Sequence, residues 1–253
     1  MRPKKQALNV GITTGSFAEH VEQVCAWGAA HQSTYVCCVN AHMTVEARDP
    51  GFNAVVSGAD MATADGMPVL KALQWFGKVK QERVAGNDLM PALLDSAVAK
   101  GLKVFLYGGK EDVLQTIRDR ASAKYGVSPI VGHESPPFRA LSAQEMEEAA
   151  ARINASGAHI IMVSLGCPKQ ERWMAAMKGK VNGVMLGLGG AFLLYAGVDS
   201  RAPKWMRDLS LEWLYRLALE PGRLWKRYFV TNTIFLGMVI GRLFRGADRD
   251  LRG

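Results

Sequence analysis

The sequence has little from which to build a cross-linked, metal-bound or membrane-spanning fold. Its 253 residues include four cysteines, Cys25, Cys37, Cys38 and Cys167. Three lie in apolar stretches and none has Cys-x-x-Cys spacing, which argues against a disulfide framework or a zinc site and suits a reducing compartment. No run reaches the roughly 18–20 apolar residues that a spanning helix needs. The nearest, 228–244, is interrupted by Thr231, Asn232, Thr233, Gly237 and Gly241 and carries Arg242 near its end. The basic N-terminus lacks a following apolar segment, so 7–14 reads as a first strand rather than part of a signal peptide. Neither Gly11-Ile-Thr-Thr-Gly15 nor Gly187-Leu-Gly-Gly190 forms a dinucleotide fingerprint, and there is no Walker lysine or Gly-x-Ser-x-Gly elbow. The Asp-x-Asp at Asp248-Arg249-Asp250 lies among arginines in the tail and reads as solvated, so no metal site and no cofactor is expected. Internal repeats and low-complexity linkers are also absent.

Charge is present but unevenly placed. Of the net +8, residues 201–253 contribute +6, from 11 Lys and Arg against 5 Asp and Glu, whereas residues 1–200 hold 20 against 18. A near-neutral core argues against nucleic acid as a partner. Basic residues interleaved with Trp, Tyr, Phe and Leu in one terminal segment favour a membrane surface. The composition shift near Ser200-Arg-Ala-Pro203 divides the chain into a catalytic domain, 1–200, and a C-terminal appendage, 201–253. The exposed apolar residues expected in such an appendage leave room for a homo-oligomer.

From residue 101 onward, short apolar runs alternate with helical periodicity. Strands are predicted over 103–109, stopped by its glycines, and over 129–132, 159–166 and 182–190. Helices are predicted over 111–124, with Val113, Leu114, Ile117 and Ala121 inward, over 142–156, opened by a Ser142/Glu145 capping box, and over 168–178. The first hundred residues are less regular: a strand over 35–40, a loop over 60–66, a helix over 68–76, and a helix over 89–100 capped by Asp88. The alternation implies an α/β fold, a Rossmann-like parallel sheet with helices on both faces, which binds ligands at the carboxyl ends of its strands.

Three strand ends carry informative residues, Tyr107 to Gly109, Gly166 to Glu171 and Gly187 to Gly190, and further candidates for chemistry lie in turns and at helix starts. Ala64-Asp65-Gly66-Met67-Pro68 places a carboxylate in a tight turn, where it serves either as a general base or as a turn and cap residue. Asn40, at a strand end, suits a sugar hydroxyl or a turn. Arg83, ahead of Gly86 and Asp88, suits a phosphate or hydroxyl, or a plain surface position. Lys169 and Gln170 open a helix whose N-terminus attracts anions. His42 and Glu46 share a helix face, but no second ligand pair accompanies them.

In order along the chain, Val39-Asn40, Ala64 to Pro68, Arg83-Val84 with Gly86 and Asp88, Tyr107-Gly108-Gly109, Pro168-Lys169-Gln170-Glu171, Gly189 to Phe192, Arg201-Ala202-Pro203, Glu212-Trp213 with Tyr215-Arg216, Glu220-Pro221 with Arg223, and Arg227-Tyr228 resemble the WecG/TagA/CpsF family of bacterial glycosyltransferases. The resemblance implies a UDP-sugar donor and an undecaprenyl-diphosphate-linked sugar acceptor. It implies inversion without a bound metal, and an appendage that attaches peripherally to the cytoplasmic face of the membrane and closes over the site. It implies Asp65 as the catalytic base, with Asn40, Arg83 and Gln170 as substrate contacts and Arg216, Arg223 and Arg227 meeting the lipid diphosphate. Two positions depart from the family pattern. Cys38 stands where the family usually has Thr, at a substrate-contact position, and Leu193 follows Phe192 where the family commonly has Asp. The donor therefore stays open between UDP-glucose and UDP-N-acetylmannosamine types, with an exopolysaccharide glucosyltransferase as one candidate. Two rivals from other classes remain: a nucleotide-dependent oxidoreductase, and a basic membrane-binding module without catalysis.

Overall fold

Runs of Val, Ile, Leu, Met and Cys that end in glycine or a polar residue form strands because both of their faces are covered. In the computed structural model, which describes residues 3–209 and 211–250, six of them make one parallel sheet. They are β3 (Thr34–Val39), β4 (Met61–Ala64), β5 (Val104–Tyr107), β6 (Ile130–Glu134), β7 (Ile160–Val163) and β8 (Val184–Gly187), in the order β4-β3-β8-β7-β5-β6. All but β6 are buried along their whole length. This is the signature of a sheet sandwiched between helices.

Alternation along each strand divides the core. Val36, Cys38, Leu106, Met162 and Leu186 face α1 (Phe17–Ala29), α5 (Gly86–Lys100), α6 (Glu111–Tyr125) and α9 (Ala191–Ala196). Tyr35, Cys37, Val39, Tyr107, Val163 and Met185 face α2 (Ala41–Glu46), α3 (Pro50–Ser57), α4 (Met67–Gly77), α7 (Ala143–Ala155) and α8 (Lys169–Met177). Val113, Leu114, Ile117 and Ala121 are the buried stripe of α6, and Ser142 and Glu145 form the reciprocal cap of α7, as predicted.

Three local expectations are corrected. The strand over 7–14 is a hairpin, β1 (Lys4–Ala7) with β2 (Val10–Thr13), turned by Leu8 in a left-handed conformation (φ 60°) and lying outside the parallel sheet. Residues 61–64 of the expected loop are strand β4. Its small side chains carry no periodic signal, and its outer edge is covered by side chains and a neighbouring segment. Thr13 Oγ1 accepts from the Ala62 N–H (3.0 Å), and the Val84 N–H donates to the Ala64 carbonyl (3.0 Å). Helix α5 begins at Gly86, with Ala85 at its cap and no side-chain cap bond, so Asp88 lies in its first turn. There Asp88 receives Arg201 (2.5 Å) in place of a backbone N–H.

Beyond residue 200 the chain forms α10 (Lys204–Asp208), α11 (Glu212–Leu219) and the 30-residue α12 (Pro221–Asp250). Leu224, Thr231, Phe235 and Val239 form the buried stripe of α12, and Phe235 and Val239 join the core cluster that includes α2 and the hairpin. Trp213 and Tyr228, with ring centroids 6.0 Å apart, pack α11 on α12. No helix among the described residues is long and apolar enough to cross a membrane.

Tight turns at the carboxyl ends of the strands depend on glycine. Gly108 sits at φ +93°, and a β-carbon there would lie 2.6 Å from the Ser164 carbonyl oxygen, an immovable backbone atom. Gly108→Ala is expected to destabilise the fold by about 2 kcal/mol or more, from strain and clash together, and to lower Tm by about 4–8 °C. Thermal denaturation measures this; an unchanged Tm would mean that the β5 turn relaxes at no cost.

Candidate active site

Asp65 follows the last residue of β4 and Asn40 the last of β3, so parallel pairing puts them side by side at the carboxyl edge. The Asp65 backbone is held from two directions. Its N–H donates to the Val39 carbonyl (3.0 Å), and its carbonyl accepts from Arg83 Nε (2.6 Å). Its side chain is half-buried. Gly66 caps α4, with Met67 and Pro68 opening the helix. Its φ is −85° and an added β-carbon meets Asn40 Cβ at an ordinary 3.5 Å, so the fold itself does not require glycine there.

Asn40 caps α2, accepting from the Met43 N–H at Oδ1 (3.1 Å). Its Nδ2 makes no hydrogen bond among the described residues and stays available as a donor. Cys38 is beneath the edge rather than on it: only 4% of it is exposed, and it packs near Gly86. Burial first, and then the nearby Asp65 charge, push its thiol well above the usual range. An effect of Cys38 on a bound sugar therefore has to pass through packing beneath Asp65.

Arg83 is not a free phosphate ligand in this structure. Besides the Asp65 carbonyl it holds Glu212 on α11, through NH2 (2.9 Å), and both partners are about one-fifth exposed. The segment around it is anchored beside β4. Gln81 exchanges two hydrogen bonds with the backbone of Gly15, and Thr63 Oγ1 donates to the Val84 carbonyl (2.8 Å).

The third wall comes from β7, β8 and α8. Gln170 lies across Gly187, where a β-carbon would approach Nε2 to 2.9 Å, so a side chain at Gly187 would displace it. Its Nε2 donates to Glu171 Oε1 (2.7 Å). Glu171 is fully buried, and its Oε2, like Gln170 Oε1, has no hydrogen-bond partner among the described residues. Burial raises the Glu171 carboxyl above its ordinary value, while the neighbouring Gln170 amide and Cys167 thiol oppose the shift. Lys169, the first residue of α8, is exposed.

The structure thus brings Asp65, Asn40, Arg83 and Gln170 to one edge, with Cys38 below. Arg216 is on α11, and Arg223 and Arg227 are on α12; their side chains lie outside the described residues, as do the side chains of Asp248 and Asp250. His42 reaches Glu46 at 3.9 Å and Thr231 Oγ1 at 3.5 Å, and no three His, Cys, Asp or Glu side chains cluster as metal ligands among the described residues. The sequence shows Glu212 as part of a family motif but neither its pairing with Arg83, 129 residues away, nor the burial of Glu171. Glu171 lies on the inward side of a helix predicted only by its ends.

Burial of Glu171 has a pH consequence. With its folded-state value raised, the native state keeps a proton that the unfolded chain releases. Its contribution to stability is complete below the ordinary 4.5 and is lost as pH rises through the raised value. In Glu171→Gln the corresponding slope should vanish. Urea denaturation of both proteins across that range should show the variant gaining on the wild type as pH rises; a constant difference would mean that Glu171 ionises normally.

A family model, Glycosyl transferase WecG/TagA/CpsF family, matches residues 5–249. The match spans the hairpin, the sheet and most of α12, so the chain belongs to the WecG/TagA/CpsF family of glycosyltransferases, which act on lipid-linked sugars.

Proposed function

We propose that this protein is an inverting glycosyltransferase that moves a hexosyl group from a UDP-sugar to an undecaprenyl-diphosphate-linked sugar, with Asp65 as the base and without a bound metal. The observation that carries this is the placement of Asp65, a half-buried carboxylate whose backbone is held on both sides at the carboxyl edge of a parallel sheet. A base needs a fixed position near the proton that it removes. In the proposed step a hydroxyl oxygen of the acceptor sugar bonds to the anomeric carbon. The bond from that carbon to the diphosphate oxygen breaks on the opposite face, and the hydroxyl proton passes to Asp65. UDP departs with the bonding pair, and the sugar is inverted. Arginines of the appendage, Arg216, Arg223 and Arg227, are suited to the lipid diphosphate by bidentate pairing. The oxidoreductase rival loses support because Gly11 lies in, and Gly15 just after, a hairpin outside the parallel sheet.

Peripheral attachment to the inner face of the membrane is the second part of the proposal. Trp225, Phe229, Leu236, Ile240 and Leu243 are exposed and recur at helical spacing along a flank of α12 beside its buried stripe. Lys226 and Arg242 lie on the same helix. An amphipathic helix with aromatic and basic residues inserts its apolar side into the headgroup boundary.

Asp65→Asn should lower turnover by about 100-fold or more while donor affinity stays near that of the wild type. The assay is UDP release from a panel of UDP-sugars with a polyprenyl-diphosphate-sugar acceptor, with and without EDTA. Near-normal turnover by the variant would remove Asp65 as the base, and inhibition by EDTA would remove metal independence. The double variant Phe229→Ser/Leu236→Ser should partition into anionic vesicles about tenfold less or weaker still. If vesicle binding is unchanged and the wild type instead forms a dimer that the substitutions break, the stripe belongs to a second copy.

A further inference from the structure

Arg83 joins two parts of the chain that have no sequence proximity. On one side its Nε–H is bound to the carbonyl of Asp65 (2.6 Å); on the other its NH2 group is bound to Glu212 Oε2 (2.9 Å). The backbone that carries Arg83 is itself fixed. Val84 is hydrogen-bonded to Ala64, its carbonyl receives Thr63, and the preceding Gln81 is bonded to Gly15. The remaining freedom is in the long side chain, and Glu212 restricts its far end. Both charged groups are only about one-fifth exposed, so the pair is less screened than a surface pair. Glu212 itself is placed by the appendage. It opens α11, which is joined to the core by Tyr215 hydroxyl to Ser200 (2.8 Å) and to α12 by Trp213 against Tyr228.

We propose that Glu212 is a positioning residue for the transfer reaction, acting through Arg83 to set the turn that carries Asp65. This rests on the reading in which Asp65 is the base. With the appendage seated, the guanidinium is held at both ends and the Asp65 carbonyl has a fixed donor. With the appendage lifted, Arg83 loses its counter-charge at Glu212, and its side chain is free to leave the Asp65 carbonyl for solvent. The core alone therefore holds the base less well than the assembled chain, and turnover depends on the seating of α11 as well as on delivery to a membrane. A carboxylate in the first turn of a helix also stabilises that helix through its dipole, and that role would be independent of Arg83.

A double-mutant cycle separates the two roles. Full-length Arg83→Ala, Glu212→Ala and the double variant would be compared with wild type by UDP release on vesicles containing the lipid acceptor, with vesicle co-sedimentation and Tm measured in parallel. Glu212→Ala is expected to lower kcat by about 10- to 100-fold, with donor KM within about threefold, since a small displacement of a base costs rate more than affinity. The double variant should be no slower than Arg83→Ala alone. Glu212→Gln, which keeps an acceptor oxygen of the same shape, should fall between wild type and Glu212→Ala, and it is the variant to read if Glu212→Ala does not fold. A wild-type kcat in both Glu212 variants, or losses that multiply in the double variant, would overturn the proposal. So would a loss of rate that follows a loss of vesicle binding. Asp65→Asn measured alongside keeps the two ideas distinct. An active Asp65→Asn removes the underlying base assignment, whereas an inactive Asp65→Asn with a fully active Glu212→Ala removes only the role of Glu212.

Discussion

Parallel pairing of strands buried on both faces is the constraint from which the rest of this structure follows. Such strands all run in one direction, so every crossover returns through a helix and all the carboxyl ends gather on one edge. Asn40, Asp65, Gly108, Gln170 and Gly189 are distant in sequence, and each lies at or just beyond the end of a strand or at the start of the helix that follows. Their convergence needs no long-range signal of its own. It is a consequence of sheet direction, and the short glycine-containing turns at that edge leave space for a ligand in the crevice.

Around that edge the protein spends backbone hydrogen bonds to hold a carboxylate in place. Asp65 receives one support from the neighbouring strand, through the Val39 carbonyl, and one from Arg83, which belongs to a segment running along the outer side of β4. The same segment covers an edge that would otherwise expose unpaired N–H and C=O groups. Fold protection and site geometry therefore share residues. On the opposite wall, Gln170 is seated by the absence of a side chain at Gly187 and by a fully buried Glu171. In that setting burial raises the Glu171 carboxyl above its ordinary value despite the opposing Gln170 amide and Cys167 thiol, and one of its oxygens stays unpartnered among the described residues.

The chain beyond residue 200 is anchored to the rest of the protein by several different contacts. Phe235 and Val239 share the core of the hairpin and α2, Arg201 reaches Asp88 at the start of α5, and Glu212 reaches Arg83. Helix α12 therefore has two apolar stripes, one buried against the protein and one exposed. The first explains why the helix is held in place, and the second why it is suited to a further apolar surface. A single periodic stripe would have served only one of these purposes.

The sequence by itself determined the fold class, the inward faces of α6, the cap of α7, the strand end that bears Asn40, the tight turn that bears Asp65, and the family. These are written in local periodicity, in the residues that stop strands and start helices, and in an ordered set of short motifs. It did not determine that 7–14 is a hairpin, that 61–64 is a strand, or that Asp88 belongs to an ion pair with Arg201 rather than to a cap. Four residues of Met, Ala and Thr carry too little periodicity to mark a strand, and only pairing with β3 and the cover of Thr13 and Val84 makes them one. Nor did it determine the partner of Arg83. A guanidinium reads as a phosphate ligand until a carboxylate 129 residues away is folded against it, and contacts of that length are decided only by tertiary packing.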